Sequence, residues 1–412
     1  MSNVNKFKVL IDAKKIDDGG IGASLRNLIE GLLMSHGIEV SLLGDKEKIG
    51  KYAWSNLVNL IEDNSKPYSF KESFRVSKKI DFSNYDIFHT PHYTLPFKIS
   101  IPSVATVHDI IHITHPRKFY YPFIAKIWIN STLKRASKII TVSEASKSAL
   151  IKNFKYANEN QDKIVVVPNA VSLRSVNEDE MQSKAEFPFN YLISVFSNTM
   201  PHKGLEDLLW AYKKLEERFS KQNLPKLVLV GYGIQRLLES GEIKNFDISE
   251  NIKVLGAVSN KRLTLLILNA KAMLVPSLAE GFYIPAIDAQ SLGVPFICRP
   301  VPAICELLSN NDFCAKSMSK EDFFEVIKNF LQLSFESGIN YKLNEKRLEK
   351  YKIENVILKV LDVYSELTGK EIERPSKDAS KDASKEISKE ASREANKEIS
   401  KEESLGETKA IA

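Results

Sequence analysis

Short, almost unbroken apolar runs recur along the chain with helix-patterned stretches between them, and this alternation limits the folds open to it. The first set is Phe7–Ala13, Ile38–Leu43, Asp86–Thr90, Ser103–His108, Lys138–Val142 and Lys163–Val167. The second is Tyr191–Phe196, Lys226–Val230, Ile252–Leu255, Ala272–Val275 and Val294–Cys298. Runs such as Val9-Leu10-Ile11 and Leu227-Val228-Leu229-Val230 are apolar at every position. A strand can use such a run only if both of its faces are buried, which is the situation in a parallel sheet covered by helices. Strands alternating with helices therefore predict doubly wound α/β sheets. Eleven strands exceed one ordinary sheet, so the chain is expected to form two.

The polar, acidic stretch Ser172–Pro188, with Asn177-Glu178-Asp179-Glu180 in it, is the natural linker. It divides the chain into a Rossmann-like domain over 1–172 and a second over 189–351. A helix over 352–369 and a tail over 370–412 complete the chain. After Lys203-Gly204, apolar residues fall at Leu205, Leu208, Leu209, Tyr212, Leu215 and Phe219, the stripe of a helix laid on a sheet. The tail repeats a four-residue unit seven times from Ser376 to Glu403, beginning SKDA-SKDA-SKEI. It has too few apolar side chains to bury a core and is expected to be disordered or a fraying single helix.

With 412 residues, 43% hydrophobic and 27% charged, the chain has the balance of a soluble globular protein. It contains no apolar run long enough to span a membrane and no secretory pattern at its N-terminus. Cys298, Cys305 and Cys314 form no Cys-x-x-Cys pair and are expected to be reduced thiols. These features predict a cytoplasmic protein. The net charge of +6 is unevenly placed: Arg117 to Lys155 carries nine basic residues and one acidic, Glu144. Two readings stay open for that stretch, a solvated helix face or attraction to anionic headgroups or an anionic acceptor at the inner face of the plasma membrane. It contains no nucleic-acid motif, so nucleic acid is not expected as a partner.

Four segments carry chemistry. Gly19-Gly20-Ile21-Gly22 follows the first strand and opens a helix, where bare backbone N–H groups can approach a phosphate or simply make a tight turn. A dinucleotide fingerprint would need a third glycine at position 25, which is Leu. Lys203 begins the second domain's first helix and can pair with a diphosphate there, aided by the helix dipole, or be an ordinary surface lysine. Glu280-Gly281-Phe282-Tyr283-Ile284-Pro285-Ala286-Ile287-Asp288 sets two carboxylates around a turn at a sheet's C-terminal edge, where ligands of open α/β sheets bind. Carboxylates accept hydrogen bonds from sugar hydroxyls. They could equally be a capping Glu and a helix-surface Asp. His108-Asp109 ends a strand at the same kind of edge. Five of the seven histidines lie between His89 and His115, but no His-Glu-x-x-His pattern occurs and no metal is expected.

Read in order, these segments resemble the retaining family-4 (group 1) glycosyltransferases of the GT-B fold. The resemblance covers about residues 7–368. It is carried by GGIG at 19–22, VHDI at 107–110, ITVSEASK at 140–147, VVVPNAV at 165–171, PHKGLEDLL at 201–209, LVGYG at 229–233, LGAVSNKRL at 255–263 and PSLAEGFYIPAIDAQSLGVPFI at 276–297. It implies two facing Rossmann-like domains with a cleft between them, the donor on the C-terminal one and the acceptor on the N-terminal one. It implies that Lys203, with Gly204, holds the donor diphosphate. Glu280 and the backbone after Gly281 and Phe282 would position the transferred sugar, and Asp288 would bind the ribose. His108 would touch the sugar from the other domain, while Gly20 and Gly22 let the first turn approach. The final helix would pack back across the interface.

Two departures stand out. The family's second Glu is Asp288 here, and an Arg common six residues before the lysine is Ser197, so diphosphate binding would rest on Lys203, helix dipoles and a further basic residue such as Arg262 or Lys261. The implied activity is metal-independent transfer of a hexose from GDP-mannose or a UDP-sugar to a glycan or lipid-linked acceptor. The PHKGLEDLL style of segment is similar to bacterial mannosyltransferases of lipopolysaccharide and other surface polysaccharide assembly. The alternatives are a catalytically degenerate GT-B protein that serves as a partner or glycan-binding subunit, and an epimerase or phosphorylase on the same scaffold.

Overall fold

The computed structural model describes residues 6–65, 76, 78–172, 185–220, 223–337 and 345–375. The expected repeat tail from Ser376 and the acidic run Asn177–Glu180 lie outside the described residues. The N-terminal sheet has seven strands: β1 Phe7–Asp12, β2 Ile38–Gly44, β3 Asn59–Glu62, β4 Ile87–Thr90, β5 Ser103–Val107, β6 Lys138–Thr141 and β7 Ile164–Val166. The C-terminal sheet has six: β8 Tyr191–Val195, β9 Lys226–Val230, β10 Ile252–Gly256, β11 Met273–Val275, β12 Phe296–Cys298 and β13 Phe313–Cys314. The spatial orders are β3-β2-β1-β4-β5-β6-β7 and β10-β9-β8-β11-β12-β13, and every pairing is parallel. Both sheets are thus doubly wound, with the strand order reversing between β1 and β4 and between β8 and β11.

The continuous apolar runs work as their pattern implies. In β1, Val9 and Ile11 join one core cluster and Leu10 the one on the opposite face. In β9, Leu227 and Leu229 face one cluster while Val228 and Val230 face the other. Helix Leu205–Arg218 buries Leu205, Leu208, Leu209, Tyr212 and Leu215, as its stripe requires. Two edge strands escape the pattern. β3 (Asn-Leu-Ile-Glu) is only half-buried, and β13 has two residues, so neither needs a continuous apolar run.

The chain crosses between the domains twice, and the crossings touch: Val171 N–H donates to the Tyr351 carbonyl at 2.9 Å. Leu348 and Tyr351 belong to the C-terminal core. A few residues later, helix Ile353–Thr368 buries Ile357, Val360, Leu361 and Tyr364 in the N-terminal core beside helix Gly19–Leu33. The two helices approach so closely that a Cβ on Gly31 would lie 3.1 Å from Ile357. The three cysteines are free, with Cys298 fully buried and in register with Cys314 on the neighbouring strand.

Candidate active site

The C-terminal ends of the two sheets face each other and meet through backbone. Gly281, after β11, lies against the residue that follows β5: a Cβ on Gly281 would sit 2.1 Å from the His108 carbonyl oxygen and 2.8 Å from Asp109 Cβ. Only glycine permits this approach. Helix Glu144–Asn153 seals the contact. Its N-cap Ser143 hydroxyl lies 2.8 Å from the Gly281 carbonyl, and Ser146 Oγ donates to the His108 carbonyl at 2.7 Å. From the C-terminal domain, the Glu306 carboxylate accepts the Glu144 and Ala145 N–H groups at 3.0 and 2.6 Å, setting a negative charge on that helix's positive end. The two domains are therefore in direct contact at this end of their sheets. Because Glu306 is exposed, Glu306→Ala should cost only about 0.5–1 kcal/mol, and less at high salt. Urea unfolding at two ionic strengths checks this, and a salt-independent loss would contradict it.

On the C-terminal side the sequence candidates converge. Lys203 ends a short turn, and Gly204 follows with φ +70°. A Cβ there would lie 2.3 Å from the Pro276 carbonyl oxygen, so Gly204 lets the start of helix Leu205–Arg218 pack under β11. This brings Lys203 Nζ to 2.7 Å from Glu280 Oε1, which also accepts from Ser277 Oγ at 2.8 Å. The side chains are 12% and 6% exposed, so the pair is largely desolvated at the reversal point of the second sheet. Asp288 lies on helix Ile284–Ser291, started by Pro285. It is buried, and its Oδ1 accepts the Ser172 N–H at 2.7 Å, so it anchors the first interdomain crossing. Phe282 stacks edge-on against Tyr351 of the second crossing.

The N-terminal side supplies histidines of two kinds. His89 is a core residue, bonded to the Tyr364 hydroxyl at 2.6 Å and to Thr106 Oγ1 at 2.8 Å. His92 lies in a buried charged group at the end of β1, with Asp12, Lys14 and Asp63. Burial opposes ionisation of Asp12, but Lys14 and His92 outweigh it and hold the carboxyl at about 2. His108 Nε2 donates to the Pro91 carbonyl at 3.1 Å, leaving Nδ1 as the acceptor nitrogen of the neutral ring. His112 bonds the Tyr93 hydroxyl at 2.7 Å, and the His115 ring lies 6.2 Å from that of His202 in the other domain. Lys15, paired with Asp18 at 2.7 Å, is near enough to His108 and His112 to disfavour a positive charge on either. The expected histidine cluster thus divides, and among the described residues no three His, Cys, Asp or Glu side chains are grouped to hold a metal ion.

Burial pushes His89 down to about 3 and His108 to about 4, the latter despite Asp109. Their folded values lie below the unfolded one, so their stabilising contribution is complete above pH 6.5 and declines as pH falls toward 4. Each should remove about 1.4 kcal/mol per pH unit in that window. Melting curves between pH 7 and 4 would show this as proton uptake on unfolding, and a flat profile would contradict it.

The glycine segment differs from the expected loop: residues 19–22 form the first turn of helix Gly19–Leu33 itself. Gly19, with φ +46°, faces the C-terminal domain, where its Cβ would come 3.3 Å from Ser197 Cβ. A Cβ on Gly20 would meet open space, whereas one on Gly22 would fall 2.4 Å from the Ile16 carbonyl oxygen. Gly22 is therefore demanded by packing within its own domain. The turn bearing Ser197 rests on two other glycines: Cβ atoms on Gly231 and Gly233 would strike the backbone of Phe196 and Asn198. Arg262 does not stand in for the missing arginine. Its guanidinium pairs with Glu186 at 2.5 and 2.9 Å, near the linker. Glu306, Lys15, Ser143 and Ser146 are the site residues that sequence reasoning did not single out. Only Ser143 carries a local signal, as an N-cap directly after a strand.

Two family models tile the chain. Residues 18–175 match Glycosyltransferase Family 4, and residues 177–353 match Glycosyl transferases group 1. The chain is 28% identical over 303 residues to the O-antigen chain mannosyltransferase RfbU of Salmonella typhimurium, a match covering 70% of this chain and 78% of that one. It is 28% identical over 246 residues to O-antigen chain mannosyltransferase B of Escherichia coli, covering 56% of this chain and 61% of that one. Among solved structures, Anabaena Alr3699/HepE in complex with UDP and glucose superposes with a TM-score of 0.67 at 17% identity, over 88% of this chain and all of that one. That likeness establishes the same two-domain GT-B architecture.

Proposed function

The chain belongs to the family-4, group 1 glycosyltransferases, and from that premise we propose that it moves a hexose, mannose from GDP-mannose, onto a glycan or lipid-linked acceptor in surface polysaccharide assembly. The observation that carries the reading is the desolvated Lys203–Glu280 pair, with Gly281 beside it packed against the His108 carbonyl of the other domain. Support for mannose comes from the two O-antigen mannosyltransferases that the chain resembles. Support for a nucleotide donor comes from the UDP- and glucose-bound structural relative.

In this reading the diphosphate lies at the N-terminus of helix Leu205–Arg218, where Lys203 and backbone N–H groups take up the charge that develops as the anomeric C–O bond breaks. A metal ion is not required for that task. Glu280 accepts hydrogen bonds from the hexose hydroxyls, and His108, neutral at pH 7, accepts another through Nδ1. Asp288 holds the ribose with whatever capacity Ser172 leaves it. The acceptor oxygen forms the new bond on the face the diphosphate leaves, and its proton passes to the departing phosphate oxygen. Closure of Gly281 onto His108 keeps water out.

The test follows nucleoside diphosphate release in EDTA across a panel of glycan and lipid-linked acceptors, with the product's anomeric configuration read by NMR. The reading expects release that depends on acceptor and retains the α-anomer. A product of inverted configuration would overturn the mechanism. Tight nucleotide-sugar binding with no transfer to any acceptor would favour the degenerate partner, a role that Ser197 and the occupied Arg262 would suit.

A further inference from the structure

Helix Tyr121–Arg135 has two apolar faces, and the fold uses one. Ala125, Trp128, Ile129, Thr132 and Leu133 are buried in the N-terminal domain. On the other side of the helix, Phe123 is 70% exposed, Ile124 46% and Ile127 64%, and in the turn that leads into it Phe119 is 86% and Tyr120 37% exposed. Residues three and four apart on a helix are neighbours, so Phe123, Ile124 and Ile127 form one apolar stripe in water, and Phe119 and Tyr120 extend the exposed apolar surface at its N-terminal end.

The charge carried by the segment itself is of a single sign. Arg117, Lys118, Lys126 and Lys134 are exposed along it, and no Asp or Glu occurs between Ile110 and Ser143. The structure also narrows the basic segment noted in the sequence. Arg135 is bound to the Leu95 and Pro96 carbonyls, Lys138 to Glu366 and Lys155 to Glu159, and Lys147 and Lys152 belong to the separate helix Glu144–Asn153, so Arg117, Lys118, Lys126 and Lys134 are the exposed basic side chains on the segment that carries the stripe. The stripe also runs to the cleft. Tyr121 packs edge-on against His112, and the His112–His115 turn reaches His202 of the other domain.

We propose that the Phe119–Ile127 face is a docking surface for an anionic lipid bilayer, with its aromatic and aliphatic side chains seated among the acyl chains and Arg117, Lys118 and Lys126 among the headgroups. An amphipathic helix of this composition lies in the plane of the interface, where apolar burial and attraction to anionic lipid act together. Bound this way, the mouth of the cleft opens beside the membrane surface. An acceptor carried on a lipid would then enter without leaving the bilayer, although the docking itself does not depend on what the cleft transfers.

Co-sedimentation of the full chain with phosphatidylglycerol/phosphatidylethanolamine vesicles, against phosphatidylcholine vesicles, tests the surface. The expected result is pelleting with the anionic vesicles at low salt and little with the neutral ones. The combined variant Phe119→Ser, Phe123→Ser, Ile127→Ser and the variant Arg117→Ser, Lys118→Ser, Lys126→Ser should each lower the bound-to-free ratio by about tenfold or more. Both alter only exposed positions, so their melting temperatures should match the parent's. No pelleting at low salt, equal binding to both vesicle types, or parent-like binding by the apolar variant would each overturn the proposal. So would a dimer, seen by sedimentation velocity, that dissociates in the apolar variant while vesicles are ignored, since the stripe would then be a contact between copies of this chain.

Discussion

Glu280→Gln should lower the rate of sugar transfer about 100-fold or more and leave the protein folded. The substitution keeps the shape of the side chain and an amide oxygen that can still accept from Lys203 and Ser277. What it removes is the negative charge that the proposed function sets against the reacting sugar. Loss of one preorganised electrostatic contact in a water-excluded site costs about 2.7–4 kcal/mol of transition-state stabilisation, which is about 100- to 1000-fold in rate. Glu280→Ala should go further, abolishing measurable transfer. It should also destabilise the fold, because Lys203 would be left largely buried without its partner. Initial rates for both variants, read beside their melting curves, separate the two effects. Parent-like rates in a folded Glu280→Gln protein would contradict the assignment of this carboxylate to the sugar.

Lys203→Met is the second large effect, and it should appear in binding as well as in turnover. If Lys203 meets the donor diphosphate, its charge-assisted contact contributes about 1.5–3 kcal/mol to affinity, so the nucleotide dissociation constant should rise about 10- to 150-fold. The transfer rate should fall in addition, because the charge on the leaving diphosphate grows in the transition state. Lys203 and Glu280 touch, so the double variant should lose less than the sum of the two single losses. Calorimetric titration with the free nucleoside diphosphate measures the first effect without any acceptor. An unchanged dissociation constant would place the diphosphate elsewhere in the cleft.

The sequence carried the scaffold well, and for a physical reason. A strand buried on both faces must be apolar at every position, so runs such as Val9-Leu10-Ile11 declare themselves locally. The edge strands β3 and β13 lack that requirement and leave no comparable mark. Lys203 and Glu280 both lie in the loops that follow strands, at the edge where a parallel sheet gathers its loops, and the family resemblance set both on the donor; their direct contact is what the structure adds. Glu306 was not legible. Its partners lie more than 160 positions away, and nothing near it in sequence signals a helix N-terminus in another domain.

The histidines and glycines show a different limit. His89 and His108 each follow from an apolar run, yet one is held in the core by Tyr364 of the last helix and the other lies at the meeting of the domains. Gly20 and Gly22 are two residues apart, yet one faces open space and the other the Ile16 carbonyl. A residue's neighbours in the folded chain decide such cases, and local spacing does not contain them. The same holds for Arg262, which charge alone made a candidate and Glu186 claims.

The measurement that bears most directly on the central claim is a thermal-shift titration in EDTA with GDP-mannose, UDP-glucose, UDP-N-acetylglucosamine and the corresponding free nucleotides. A donor site built from Lys203 and the helix that follows it predicts stabilisation by one nucleotide family, on the order of a few degrees at saturation. The free diphosphate should be nearly as effective as the sugar nucleotide, and Lys203→Met should move the titration to about 10- to 150-fold higher nucleotide and shrink the shift at a fixed concentration. No shift with any nucleotide would contradict the account, leaving the cleft without the donor site on which its proposed activity depends.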